Sequence, residues 1–371
     1  MTGFFQSIVT IVLFFAILGI LVIIHELGHF VTARMAHVRV LEFGVGFPPR
    51  AKVLRNKGET VYTLNWLPIG GFVKLEGEDG DAADDPRSFS AQRLGVKLWI
   101  LIAGVLMNLL LAFAIFTGIA WLATPWVGVT VPAVQADSPA SAAGLVAGDS
   151  IIAIDGQRYD WFGGTSPLDE LRSRAGQTVV LTVARTGGVR EDLTVTLRTA
   201  DKIDAGHGAL GVSRTDTEPF QTYFFGEYTG HDLPTAIQIG ARETVRSLGL
   251  ILGGLGSLVS SIATNPTAPP PVSGPVGIAT QIGDVFWNAG PILLLYVAGI
   301  LSANLALVNI LPFPPLDGGR MLMITLKRFL GARMSLRVEQ LTYMVGFVFL
   351  FVFLIWITGF DILRSLGGAG S

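Results

Sequence analysis

The chain has 371 residues, half of them hydrophobic, and a mean hydropathy of +0.56, too apolar for an ordinary soluble domain and in keeping with several membrane spans. Its 26 basic and 28 acidic residues nearly cancel, which removes the cationic bias expected of a nucleic-acid binder. With no cysteine, disulfides and thiolate metal ligands are excluded, and any metal must be held by His, Asp, Glu or water.

The first element is an uncharged apolar run from Phe4 to Ile24 that leads directly into His25-Glu26-Leu27-Gly28-His29. Neither a basic leader nor a small-residue cleavage site marks it as a signal peptide, so the run is expected to stay in the mature protein. Histidines at i and i+4 stand about 40° apart on one helical face, close enough for both imidazoles to reach one tetrahedral cation. In a helical H-E-x-x-H the flanking carboxylate, here Glu26, can take a proton from water at the metal. Ionisable groups at the end of a membrane-length run are costly there, and they point to function by default.

Three more stretches match a hydrocarbon core of about 30 Å: Leu98 to Leu122, Ile292 to Leu311 and Leu341 to Phe360. The segment between the first two spans carries Arg34, Arg39, Arg50, Lys52, Arg55, Lys57, Arg93 and Lys97. The one between the last two carries Arg320, Lys327, Arg328, Arg333 and Arg337. Both are expected to be cytoplasmic, with the central region outside. Ser247 to Ala263 is free of charge and a candidate fifth span, but it is rich in Gly and Ser, and it is expected as an interfacial or bundle-packed helix on the outer side. Glu59 to Lys74 reads as strands around a turn at Pro68 and Gly70-Gly71, either dipping toward the membrane or packed on the inner face of the enzyme. Glu76 to Asp85 reads as an acidic linker.

From Trp126 to Thr199 the pattern changes to short strands, Val127 to Val131, Ser150 to Asp155, Thr178 to Ala184 and Asp192 to Leu197, with a short helix over Leu168 to Ala175 and a hairpin turn at Thr186-Gly187-Gly188. Thr264 to Pro275 is a Pro-rich link. A third metal ligand is expected at Asp317, in Asn309-Ile310-Leu311-Pro312-Phe313-Pro314-Pro315-Leu316-Asp317-Gly318-Gly319. There prolines end the third span, and irregular backbone at membrane depth needs a cavity or protein around it.

His25-Glu26-Leu27-Gly28-His29 and the run from Asn309 to Gly319 together resemble the site-2 protease family, close to bacterial regulators of sigma-E-type protease with a PDZ domain. Phe43-Gly44-Val45-Gly46-Phe47, Pro68 to Lys74 and Ser273 to Ile278 add to the resemblance, which runs over most of the chain. It implies Zn2+ held by His25, His29 and Asp317, Glu26 as general base, and Asn304 and Asn309 as substrate contacts. It also implies a membrane-dipping β-loop over Glu59 to Lys74, with Gly70 and Gly71 in the substrate-binding stretch. One departure is Ala103-Gly104-Val105, where relatives have Ala-Gly-Pro, before Asn108. Ala143-Gly144-Leu145-Val146-Ala147-Gly148-Asp149 followed by Ile151 to Gly156 resembles a PDZ module, with Trp126 to Val129 as its peptide-binding loop.

The expected fold is therefore a multi-pass α-helical membrane protein with four transmembrane helices, a membrane-associated β-hairpin and an inserted PDZ-like α+β domain. Its parts are a protease core over residues 1–125, an extracytoplasmic PDZ domain over 126–200, a connecting region over 201–290 and a C-terminal core over 291–371. The expected function is intramembrane zinc proteolysis in a bacterial plasma membrane. Single-span proteins such as anti-sigma factors or signal-peptide remnants are the substrates, with membrane lipid and a peptide at the PDZ domain as partners and no nucleic acid. A membrane quality-control protease and a non-catalytic PDZ adaptor are the alternatives.

Overall fold

A computed structural model describes residues 2–78, 84–185, 187–203, 208–215, 219–265, 267–330 and 336–368. Thr186 of the expected hairpin turn, residues 79–83 of the acidic linker and Arg333 lie outside the described residues. The chain divides into two compact units, residues 1–117 with 240–371, and residues 118–239.

The first unit opens with helix α1, Thr2–Met35, which at 1.5 Å per residue is about 50 Å long and so outruns the hydrocarbon core. His37, at φ 60, takes the left-handed position that ends it, and the Val38 N–H closes the turn on the Ala33 carbonyl at 2.9 Å. Two long strands follow, β1 over Val40–Lys57 and β2 over Thr60–Leu75. The strands expected around a turn inside 59–74 are the two arms of β2, and both pair with β1. Residues of β1 are flanked on both sides by β2, Phe43 by Val73 and Tyr62, and Val45 by Gly71 and Leu64. Such flanking requires β2 to fold back on itself, which Gly70 permits at φ +78. The root of this sheet packs on α1 through Phe30, 5.3 Å from the Phe43 ring. Ala33, Val38, Val40, Leu75, Ile100 and Leu101 form one buried cluster. At its far end Phe47, Leu64, Trp66 and Leu67 are exposed.

Helix α2, Leu94–Leu122, crosses α1 where Gly28 meets the Ala103 backbone so closely that no Cβ fits. Later in the chain come α5 over Leu233–Thr264, which begins in the second unit, α6 over Pro275–Ala289, α7 over Pro291–Ile310, α8 over Asp317–Leu330 and α9 over Leu336–Gly368. α7 presents buried Ser302, Ala303 and Ala306, the small side chains that let membrane helices approach. α6 was not foreseen as a helix. Its start is held by buried Asp361 of α9, which accepts from the N–H groups of Gly277 at 2.8 Å and Gly274 at 3.2 Å. Its Gly283 sits against Thr10 of α1.

Among the described residues five helices, not four, are long and apolar enough to cross a membrane: α1, α2, α5, α7 and α9. The additional one is α5, the least apolar of the five. It extends the expected interfacial helix toward its N-terminus, because Ala, Ile and Leu continue the helical pattern through Arg242, Glu243 and Arg246.

The second unit holds a six-stranded sheet in the order β10-β3-β6-β5-β7-β8. Its strands are β3 Thr124–Thr130, β5 Ser150–Ile154, β6 Gln157–Asp160, β7 Thr178–Ala184, β8 Arg190–Thr196 and β10 Gln221–Thr229. The short β4, Ala133–Val134, pairs with β9, Val212–Ser213. Ile151, Ile154, Leu181, Val183 and Val195 are buried with Leu171 of helix α4, Pro167–Ser173, while α3 covers only Pro139–Ala142. Each such side chain contributes roughly 1.5–3 kcal/mol by burial. Asp155 and Gly156 both take positive φ between β5 and β6, the conformation a two-residue hairpin loop demands. Trp126 to Val129, the expected peptide-binding loop, lies within β3, with β10 on one side and β5 and β6 on the other.

Candidate metal centre

The i, i+4 spacing sends both imidazoles from α1 toward α2 and the start of α8. His25 and His29 are buried. His25 Nε2 lies 2.9 Å from Asp317 Oδ2, and His29 Nε2 lies 3.2 Å from that oxygen and 3.2 Å from His25 Nε2. Tetrahedral zinc with bonds near 2.0–2.1 Å sets its ligands about 3.3 Å apart. The three donor atoms therefore fit that ion closely, and a pair of neutral imidazoles with one carboxylate is a donor set zinc accepts. His29 Nδ1 donates to the Ile100 carbonyl at 2.8 Å, which leaves the Nε2 lone pair facing the cluster.

Asp317 reaches this depth because the chain after α7 folds back on itself. Leu311 is extended, and Gly318 and Gly319 press against the backbones of Ile310, Leu311, Phe313 and Pro314 where a Cβ would collide. Gly346 of α9 braces the same turn against the Pro314 carbonyl. Arg320 on the next turn of α8 forms an ion pair with Glu78.

Glu26 is one residue from His25, about 100° further round α1, and its carboxylate makes no hydrogen bond among the described residues. Gly71 faces it: a Cβ at position 71 would lie 3.5 Å from Glu26 Cγ and 3.0 Å from the Gly44 carbonyl. Gly70, by contrast, turns against Phe47, so only one of the pair borders the carboxylate. Asn304 and Asn309 are half-buried on α7 and make no hydrogen bond among the described residues, so neither amide is consumed in tying helices together.

Two features lay beyond the sequence reading. The Ile100 carbonyl has no side-chain signature at all. Gly104 had one, its place four residues before Asn108, and a Cβ there would lie 2.5 Å from His29 Nε2 and 2.7 Å from His25 Cε1.

The profile of peptidase family M50 matches residues 13–353. A provisionally named zinc metalloprotease of Clostridium acetobutylicum is 31% identical over 370 residues, covering 98% of this chain and 99% of its own length. Zinc metalloprotease RasP of Geobacillus kaustophilus is 28% identical over 440 residues, covering 96% and 98%. A chloroplast membrane metalloprotease of Arabidopsis thaliana, also provisionally named, is 31% identical over 338 residues, covering 88% and 73%.

Proposed function

The chain belongs to peptidase family M50, and from that premise we propose an intramembrane endopeptidase of the site-2 type that cuts single-span membrane proteins within or near the bilayer. It is a membrane zinc metalloendopeptidase. The ligands we assign are His25, His29 and Asp317, and the general base is Glu26. The observation that carries this reading is the convergence of two Nε2 atoms and one carboxylate oxygen, mutually 2.9 to 3.2 Å apart, at the end of a membrane-length helix.

When bound, zinc supplies a Lewis acid that acidifies water and polarises a carbonyl. Glu26 takes the proton of the attacking water on its unengaged carboxylate and delivers it to the leaving amide nitrogen. A substrate helix hides its amides in its own hydrogen bonds, so cleavage needs local unwinding. The segment of β2 from Gly70 to Leu75 beside Glu26 would receive the unwound backbone as an added strand, and the unengaged amides of Asn304 and Asn309 would satisfy groups the helix releases. Exposed Phe47, Leu64, Trp66 and Leu67 suit a sheet tip that dips into lipid.

Four crossings, α1, α2, α7 and α9, with the site toward the cytoplasm of a bacterial plasma membrane, are supported by the Arg320–Glu78 ion pair. That pair joins the segment before α2 to the one after α7. A crossing by α5 would put them on opposite faces. Arg93, Lys97, Arg320, Lys327 and Arg328 also border one cavity, as the inner-face excess of cations requires. The second unit, outside on this topology, resembles a PDZ module and would screen substrates for a trimmed outer domain. Strand addition at Trp126 to Val129 then requires release of β10, which Glu227 ties to Arg158 and Arg190.

The test is Glu26→Gln, which keeps the shape and both histidines. Zinc should remain while turnover of a detergent-solubilised transmembrane peptide falls by about 10² to 10⁴. Crosslinking the same variant in cells should capture single-span proteins. Activity near wild type would remove Glu26 from the mechanism, and a catch of soluble proteins alone would contradict intramembrane cleavage.

A further inference from the structure

Asn108 of α2 is fully buried. Its carboxamide nitrogen lies 3.3 Å from His25 Nδ1, and its Oδ1 has no hydrogen-bond partner. As placed, this arrangement is chemically incomplete. The opposite ring nitrogen, His25 Nε2, faces Asp317 and His29, and an imidazole that gives Nε2 to a metal carries its proton on Nδ1. An Nδ1–H needs an acceptor, which an NH2 group cannot be. The two ends of a carboxamide are assigned by their hydrogen bonds alone, so turning the amide over costs nothing in shape. It brings Oδ1 onto the His25 Nδ1–H, where the ring needs an acceptor.

The rest of α2 supports the same design. Ile100, Gly104 and Asn108 are spaced i, i+4, i+8 on one stripe of the helix. The Ile100 carbonyl accepts from His29 Nδ1, Gly104 clears the space the two imidazoles fill, and Asn108 meets His25. The stripe is itself fixed from behind, since buried Ser302 of α7 donates to the Asn108 carbonyl at 2.8 Å.

We propose that Asn108 is a positioning residue: its carboxamide oxygen accepts from His25 Nδ1–H and so fixes the ring orientation and tautomer that turn Nε2 to the metal. The inference rests on the zinc-ligand reading above and adds one acceptor for each histidine, both supplied by α2. A buried asparagine that served only as polar glue between helices would instead affect assembly, not metal affinity.

The experiment measures zinc affinity by chelator competition in the purified full chain, together with the visible absorption of the Co2+-loaded form and the thermal transition. His25→Ala, Asn108→Asp, Asn108→Leu and Asn108→Ser are compared with wild type. Asp keeps an acceptor in place and should hold zinc and the cobalt spectrum close to wild type. Leu lacks the acceptor and Ser falls short of the ring, so both should weaken zinc by about 10- to 100-fold. If Leu does not fold, Ser decides by the same readout. Unchanged affinity in Leu and Ser, with zinc lost in His25→Ala, overturns the role of Asn108 and leaves the ligand set standing. Equal losses in Asp, Leu and Ser, tracking the thermal transition, overturn it in favour of a packing role. Zinc retained by His25→Ala overturns the ligand reading, and the inference with it.

Discussion

At Asp317 one oxygen serves both histidines, so no neighbour can replace it. Asp317→Ala should lose most of the bound zinc, read by metal analysis of purified protein, because two ligands hold the ion far less well than three. Gly104→Ala adds a single carbon where the imidazoles lie. Zinc affinity should fall by roughly tenfold or more, as for other changes next to metal ligands, with helix content unchanged by circular dichroism; wild-type affinity there would mean that the rings move aside freely. The His pair was legible because a four-residue spacing on a helix is encoded locally, and Asp317 because prolines and glycines announce a break at membrane depth. The Ile100 carbonyl was illegible for the opposite reason: every residue has one, and only packing selects which is used.

The elements the sequence hid are those whose partners are remote. β1 reads poorly as a strand, since Pro48-Pro49 and several cations interrupt its alternation, and its pairing is imposed by Val61 to Lys74 on both its sides. β10 finds β3 across roughly ninety residues. α6 begins at a Gly-Pro and is completed only by Asp361 on another helix. Removing that carboxylate orphans buried N–H groups, at about 1–3 kcal/mol. Asp361→Ala should therefore lower the thermal transition of the purified protein, and Asp361→Asn, which retains one acceptor oxygen, should lower it less. At β2, Gly71→Val would crowd Glu26 without touching a metal ligand. Peptide turnover should drop while zinc content stays at wild type; parallel loss of zinc would place Gly71 in the scaffold of the metal site instead.

For the whole molecule the open quantity is the number of crossings. In intact cells, a cysteine placed at Gly187 should react with an impermeant maleimide, whereas one at Gly58, in the turn between β1 and β2, and one at Leu330, at the end of α8, should not; labelling at Leu330 would mean that α5 crosses as well. The chain has no cysteine of its own, so labelling is unambiguous, and the opposite pattern would invert the topology. The sequence carried the membrane character of the chain, because apolar length reports directly on the bilayer. It left α5 ambiguous, because length and composition alone do not tell a crossing helix from one lying against a bundle.

The turn that carries Asp317 has a consequence for biogenesis. His25 and Asp317 are 292 residues apart in the chain, so a ribosome working at about 5–20 residues per second makes the second roughly 15–60 s after the first. Gly346 of α9, which braces that turn, emerges later still. On the proposed ligand assignment the nascent enzyme stays unarmed while its own spans, themselves single helices for a time, enter the bilayer beside it.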